Sequence, residues 1–308
     1  MRTAAVLYFI LGSVFATPGS LAGQSQATGP DPGSTDTYFT IHNLYPAHEI
    51  TQGAGTKVGI IDRSFGMEAH PELYAGGRNF LVKASASDAE PETYHGYWMA
   101  LTLREIAPKA EIFALGAHTQ DETARVDAIV QALDWAVQHE LDVVTYCAGG
   151  FSEAARKALD PAVDRAIGAG VVVVFVDYPH PLNLLPGGMG TTDENRARNP
   201  DLNIFSHDCT VFIADQMVAL ADPDDDGIQK NRPFLGRPST GPVTAGFVAL
   251  VRSMDPEAPP GEIKRILRTT SRPLSYRGQL AARVPDLFQA VTHTVGAYPE
   301  AQQGKMRD

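Results

Sequence analysis

Asp62, His95 and Ser239 follow one another in the order acid, base, nucleophile, and each sits where its chemistry would be useful. Asp62 ends a short apolar run, residues 57–61. His95-Gly96 opens a run that continues Trp98-Met99-Ala100-Leu101, and Ser239 stands just ahead of a long apolar stretch that begins at Pro242. A carboxylate fixes the tautomer of an imidazole, the imidazole takes a proton, and a hydroxyl attacks. A serine at the start of a helix also gains from the helix dipole and its oriented N–H groups. Plainer roles exist for all three: Ser239 with Thr240 as helix cap, Asp62 capping a turn, His95 capping its own helix. Cys147 is a further nucleophile type that a histidine would activate. As a buried thiol, or as half of a disulfide with Cys209, it would do no chemistry. Ser206-His207-Asp208 holds three triad residue types in a row. Neighbours along a strand point to opposite faces, so these three do not form a triad with one another.

A second kind of chemistry is suggested by Asp222, Asp224 and Asp226, followed by Gly227. Carboxylates at alternate positions before a glycine match the first half of a calcium loop, where hard oxygen ligands converge. The twelfth position is Pro233, so a full EF-hand is excluded. A partial Ca2+ site and a solvated acidic turn remain as the two readings. The acidic stretch 88–92 lacks this spacing and reads as surface.

The elements that must carry these residues alternate. Residues 57–61, 111–115, 142–146 and 171–176 are apolar, β-branched and bounded by turns, so they read as buried strands. Helical patterns fill residues 95–106, 123–139 and 153–168. Strand and helix in alternation, with strands apolar on both sides, predict a parallel sheet covered on both faces. In such sheets the site lies at the carboxyl ends of the strands, which here carry Asp62, Cys147 and Asp177. A short helix is expected within 38–52, apolar runs lie at 210–213 and 217–220, and two closing helices are expected at 261–270 and 285–291. The stretch 242–251 has no polar face, which predicts a helix buried all round, ended by Asp255-Pro256.

The 308 residues are 44% hydrophobic, enough to bury a large core, and no repeat of fixed period stands out. A net charge of -11 argues against nucleic acid or an anionic membrane surface as partner. Met1-Arg2 followed by the apolar residues 4–15, with small-residue sites ending at Ala16 or Ala22, reads as a secretory signal peptide. It is too short to span a bilayer. The chain therefore divides into a signal peptide (1–22), a Gly/Pro/Ser-rich disordered linker (23–37), one domain (38–295) and a polar tail (296–308).

The same segments resemble the subtilisin-like serine proteases, in the right order. Lys57-Val58-Gly59-Ile60-Ile61-Asp62 is similar to that family's aspartate strand, and His70-Pro71-Glu72-Leu73 to the turn after it. His95-Gly96, then Ala107-Pro108, resembles the catalytic His-Gly helix and the stretch beyond. Residues 132–136 and 142–150 resemble the helix and strand that line the first substrate pocket, and Gly170 with its four valines the strand leading to the oxyanion hole. Pro242-Val243-Thr244-Ala245-Gly246 is similar to the start of the helix behind the nucleophile. The resemblance implies a three-layer α/β fold with a mostly parallel sheet, and Asp62, His95 and Ser239 as the triad.

The chain departs from that pattern at several places. Pro238 stands where the family has its serine, and Ser239 comes one residue later. A one-residue step at a helix start turns a side chain by about 100°. Pro179 stands at the place of the oxyanion asparagine and has no amide; one lost donor costs about 3–4 kcal/mol of transition-state stabilisation. His180 beside it is a candidate substitute. Arg63 next to Asp62 is expected to compete for its carboxylate, and there is no room between Ala22 and Tyr38 for the pro-domain that exported members carry. The resemblance then implies an exported serine peptidase homologue with a damaged site, acting on polypeptides. The alternative is a non-catalytic descendant that binds peptides or a partner protein in the old cleft.

Overall fold

A computed structural model describes residues 39–40, 42–81, 95–148, 150–176, 178–184, 202–205, 211–214, 217–218, 233–234, 240–276 and 279–297. The expected signal peptide, linker and Asp222, Asp224 and Asp226 all lie outside these residues, as do Ser206-His207-Asp208, Cys209, Pro238 and Ser239.

Five parallel strands form the main sheet in the order β2-β3-β1-β4-β5: β1 (Lys57–Asp62), β2 (Gly76–Asn79), β3 (Glu111–Gly116), β4 (Val143–Tyr146) and β5 (Val172–Phe175). β1 is central, and its last five residues are buried, as are all of β4 and β5. Such strands have no solvated face to alternate with, which is why their sequence reads as continuous apolar runs. One layer, α3 (Glu122–Gln138) and α4 (Glu153–Gly168), packs on one face with Ile61, Leu115, Val144 and Tyr146. The other holds α1 (Leu44–His48), α2 (His95–Ile106), α5 (Thr240–Met254), α6 (Pro260–Thr269) and α7 (Leu287–Ala297) over Val58, Ile60, Val143 and Val172. The fold is a three-layer α/β fold.

The start of α3 is set by Asp121, whose carboxylate accepts the N–H groups of Thr123 and Ala124, and that of α4 by Ser152, which accepts from Ala155. α5 behaves as its composition requires: every residue from Thr240 to Arg252 is buried, and the helix stops at Met254, just before Asp255-Pro256. Its one buried cation, Arg252, donates to the carbonyls of Pro256, Ala258 and Gly170, tying the helix end to the loop before β5.

Several elements differ from expectation. The edge strand β2 is built from Gly-Gly-Arg-Asn, residues with little strand propensity, and exists through its ladder to β3. An antiparallel hairpin, β10 (Arg272–Tyr276) and β11 (Gln279–Val284), fills the segment between the two closing helices. Short antiparallel pairs also join β6 (Leu202–Phe205) to β7 (Val211–Ala214) and β8 (Met217–Val218) to β9 (Pro233–Phe234). The short helix expected within 38–52 is present as α1, whereas α7 runs on to Ala297, into the expected polar tail. Among the described residues, no helix is long and apolar enough to cross a membrane.

α5 lies against α2 through Gly246, where an added Cβ would meet Ile106 atoms at 2.5 and 2.7 Å. Gly246→Val is therefore expected to lower the unfolding free energy by roughly 2–3 kcal/mol through overpacking, measured by urea denaturation.

Candidate active site

The site is built from the loop that leaves β1. Asp62 is the last residue of that strand, with its side chain 4% exposed. One carboxylate oxygen, Oδ1, accepts the backbone N–H of Arg63 at 2.8 Å. The other, Oδ2, lies 2.7 Å from Nδ1 of His95. A carboxylate only accepts, so Nδ1 carries the proton and Nε2 is left as the basic nitrogen. The His95 side chain is 28% exposed.

Local backbone geometry puts His95 there. A helix leaves its first N–H groups without partners. At the start of α2 the N–H of Gly96 donates to the Arg63 carbonyl at 2.7 Å and that of Tyr97 to the Ser64 carbonyl at 3.2 Å. Ser64 adopts a left-handed conformation, φ 57°, which turns the loop after Asp62 back toward the helix. Glycine is required at position 96, because a Cβ there would lie 2.5 Å from the Arg63 carbonyl oxygen and 2.7 Å from the Phe65 ring. The expected competition from Arg63 is corrected: its backbone N–H, not its guanidinium, bonds Asp62, and Oδ2 keeps its hydrogen bond to His95.

The start of α5 returns the chain to this end of the sheet. Gly241 sits against Thr145 and Cys147 at the end of β4 and against Val176 beyond β5. Ser239 itself is outside the described residues.

Cys147 is a free thiol, fully buried, with its sulfur 3.9 Å from the Thr145 hydroxyl. Burial pushes its pKa well above the usual thiol value, and the nearby Asp62 adds to this. A buried, protonated thiol is inert, which fits the buried-thiol reading of Cys147 and not the nucleophilic one; Cys209 lies outside the described residues. Pro179 is exposed on the loop after β5. His180 does not stand in for an oxyanion donor. Its Nε2 lies 3.1 Å from Oδ1 of Asp164 on α4, and its Nδ1 accepts the Leu182 N–H.

Two groups of residues escaped the sequence reading. Asn183, fully buried, accepts the Phe175 N–H and donates to the carbonyls of Phe175 and Tyr178. Lys264 donates to the carbonyls of Pro181 and Asn183, so the loop is tied down from both sides. An amide inside the run Pro181-Leu182-Asn183-Leu184-Leu185 was the available signal. The second group is His118, just beyond β3, whose Nδ1 lies 2.9 Å from the Tyr146 hydroxyl. Its place beside the strand of Asp62 follows from the strand order, which left no signal in the sequence. Among the described residues no group of three or more His, Cys, Asp or Glu side chains is placed to hold a metal ion.

Burial lowers the pKa of His118 from 6.5 to about 4, with Arg63, Arg125 and His95 acting in the same sense and Asp62 against it. The unfolded chain thus binds this proton more tightly than the folded one. The contribution to stability is fully present above pH 6.5 and is lost as pH falls toward about 4. His118→Gln is expected to flatten that part of the stability curve relative to the parent protein, measured by urea unfolding across this pH range.

No family model matches the chain. Subtilisin BL of Lederbergia lenta is 26% identical over 246 residues, covering 72% of this chain and 85% of its own. The crystal structure of a lanthipeptide protease superposes with a TM-score of 0.57 at 18% identity, over 83% of this chain and 94% of its own. That of a cold-adapted subtilisin-like serine proteinase gives 0.55 at 17% identity, over 76% and 89%. These structures share the fold. Sheet and helix layers give the chain the subtilisin-like fold of these structures, and its sequence is similar to that of a subtilisin.

Proposed function

We propose that this chain is an exported serine peptidase of the subtilisin type with weakened catalysis, acting on polypeptides. Asp62 orients His95, His95 acts as general base, and Ser239 attacks the peptide carbonyl. The observation that carries this reading is the 2.7 Å bond between Asp62 and Nδ1 of His95, which leaves Nε2 to take a proton. The proton would pass from the Ser239 hydroxyl to Nε2 as the hydroxyl oxygen bonds to the carbonyl carbon, and from Nε2 to the leaving amine as the peptide bond breaks. Weakness is expected at the oxyanion. Pro179 has no amide to offer, and Asn183 and His180 are committed to Phe175, Tyr178, Asp164 and Leu182. One missing donor costs about 10²–10³ in turnover. Export rests on the apolar start of the chain, residues 4–15. Asp222, Asp224 and Asp226 offer the hard oxygen donors that Ca2+ takes and would hold it as a stabilising ion.

The same committed Asn183 and His180 side chains favour a second reading, a non-catalytic protein that holds a polypeptide in the cleft without cutting it. A serine-directed phosphonate separates the two, with intact mass and peptide mapping as the readout, with and without Ca2+. The peptidase reading expects an adduct on Ser239, lost in His95→Ala and slowed by on the order of 10⁴ in Asp62→Asn. No adduct on folded protein would sink it and turn the search to bound polypeptides.

A further inference from the structure

We propose that the hydrogen bond between His118 and Tyr146 is a clasp across the end of β1 that holds Asp62 in position for His95. The value of such a clasp to function rests on the peptidase reading above, whereas its geometry and its test do not.

β1 lies between β3 and β4, and its two ladders end at different heights. The β3 ladder reaches Asp62, opposite Gly116, while the β4 ladder stops one residue earlier, at Ile61 opposite Tyr146. Asp62 is thus laddered on one side only, at the point where its side chain must be fixed. On the paired side, the N–H groups of Ala117 and His118 both reach the Asp62 carbonyl, at 3.0 and 3.3 Å. His118 is therefore already attached to the backbone of the residue in question. Its ring then bonds, at 2.9 Å, the hydroxyl of Tyr146, the last residue of the strand on the other side. β3 and β4 are two strand spacings apart, about 10 Å. The pair spans that gap and closes it where the backbone ladder does not.

The far end of the clasp is rigid. Tyr146 is fully buried, with its ring 5.3 Å from that of Phe151 and 5.7 Å from that of Phe175. Both partners are neutral at ordinary pH. Burial lowers the pKa of His118 to about 4 and raises that of the Tyr146 phenol. The charged or titratable groups acting on the pair are Asp62, Arg63, His95, Arg125 and Cys147. A neutral neighbour also matters electrostatically. When His95 takes up a proton, His118 adds no second positive charge beside it.

The test is the solvent-exchange rate of the His95 Nδ1 proton, followed by ¹H–¹⁵N NMR on the full chain with labelled histidine. That proton is protected only while the Asp62 carboxylate stays in place. Tyr146→Phe keeps the buried ring and removes one hydroxyl. His118→Ala removes the other partner. Each is expected to speed exchange about fivefold, the worth of one neutral hydrogen bond. His118→Asn sets an amide close to where Nδ1 lies and is expected to restore protection. The clasp is overturned by unchanged exchange in Tyr146→Phe and His118→Ala proteins that retain the parent circular dichroism. An unprotected proton in the parent, or an Asn variant that exchanges as fast as the Ala variant, overturns it equally. Failure of Ser239 to react with a phosphonate would sink the peptidase reading and leave these rates untouched.

Discussion

A carboxyl group buried at the end of the central strand is the constraint around which this end of the molecule is arranged. Burying a charged or polar group is costly unless it finds partners. Asp62 finds them in the Arg63 N–H and the His95 ring. Those partners are neighbours for a reason: the carbonyls of Arg63 and Ser64 receive the first free N–H groups of α2. One turn therefore satisfies the strand's terminal acid and the helix's terminal amides together. The position of His95 follows from that exchange of hydrogen bonds and not from its own packing.

The constraint extends outward through close contacts. Gly96 admits the Arg63 carbonyl, Gly246 admits Ile106 from the other end of α2, and Gly241 admits Thr145 and Cys147 from β4. Three glycines on two helices thus let α2 and α5 press against each other and against the sheet. α5 has no polar face to give up, so it can be enclosed on every side. Packing of that density transmits small displacements, since interiors have few voids to absorb them.

The buried parts of the fold were legible in the sequence because burial writes itself in apolar runs. The runs at 57–61, 142–146 and 171–176 became β1, β4 and β5, and the patterns at 95–106 and 153–168 matched α2 and α4 to the residue. What could not be read was structure made by pairing. β2 is a strand because β3 is beside it, and the β10–β11 hairpin depends on register, not on composition. The acid–base pair was legible from Asp62 and His95 as residue types at strand and helix ends. His118 was not, because a single histidine after Gly116-Ala117 carries no pattern until the strand order sets it beside β1. Asn183 was missed for a similar reason: its three bonds are all to backbone nearby in space, and side-chain contacts to backbone leave no period in a sequence.

The loop after β5 shows how positional rigidity and catalytic power can compete. Oxyanion stabilisation needs donors left unpaired in the resting protein and aimed at where charge will develop. Here the polar side chains of the loop's described residues are already paired. Asn183 is spent on Phe175 and Tyr178, His180 on Asp164 and Leu182, and the Tyr178 hydroxyl on Asp160. Lys264 fixes the following carbonyls. Each of these bonds lowers the energy of the ground state, and each removes a donor or acceptor from any task in a transition state. A loop bound in this way holds its shape for a polypeptide lying along it, while offering little to a carbonyl oxygen that acquires charge. Under the proposed peptidase reading, such a loop favours weak turnover with an intact Asp62–His95 pair.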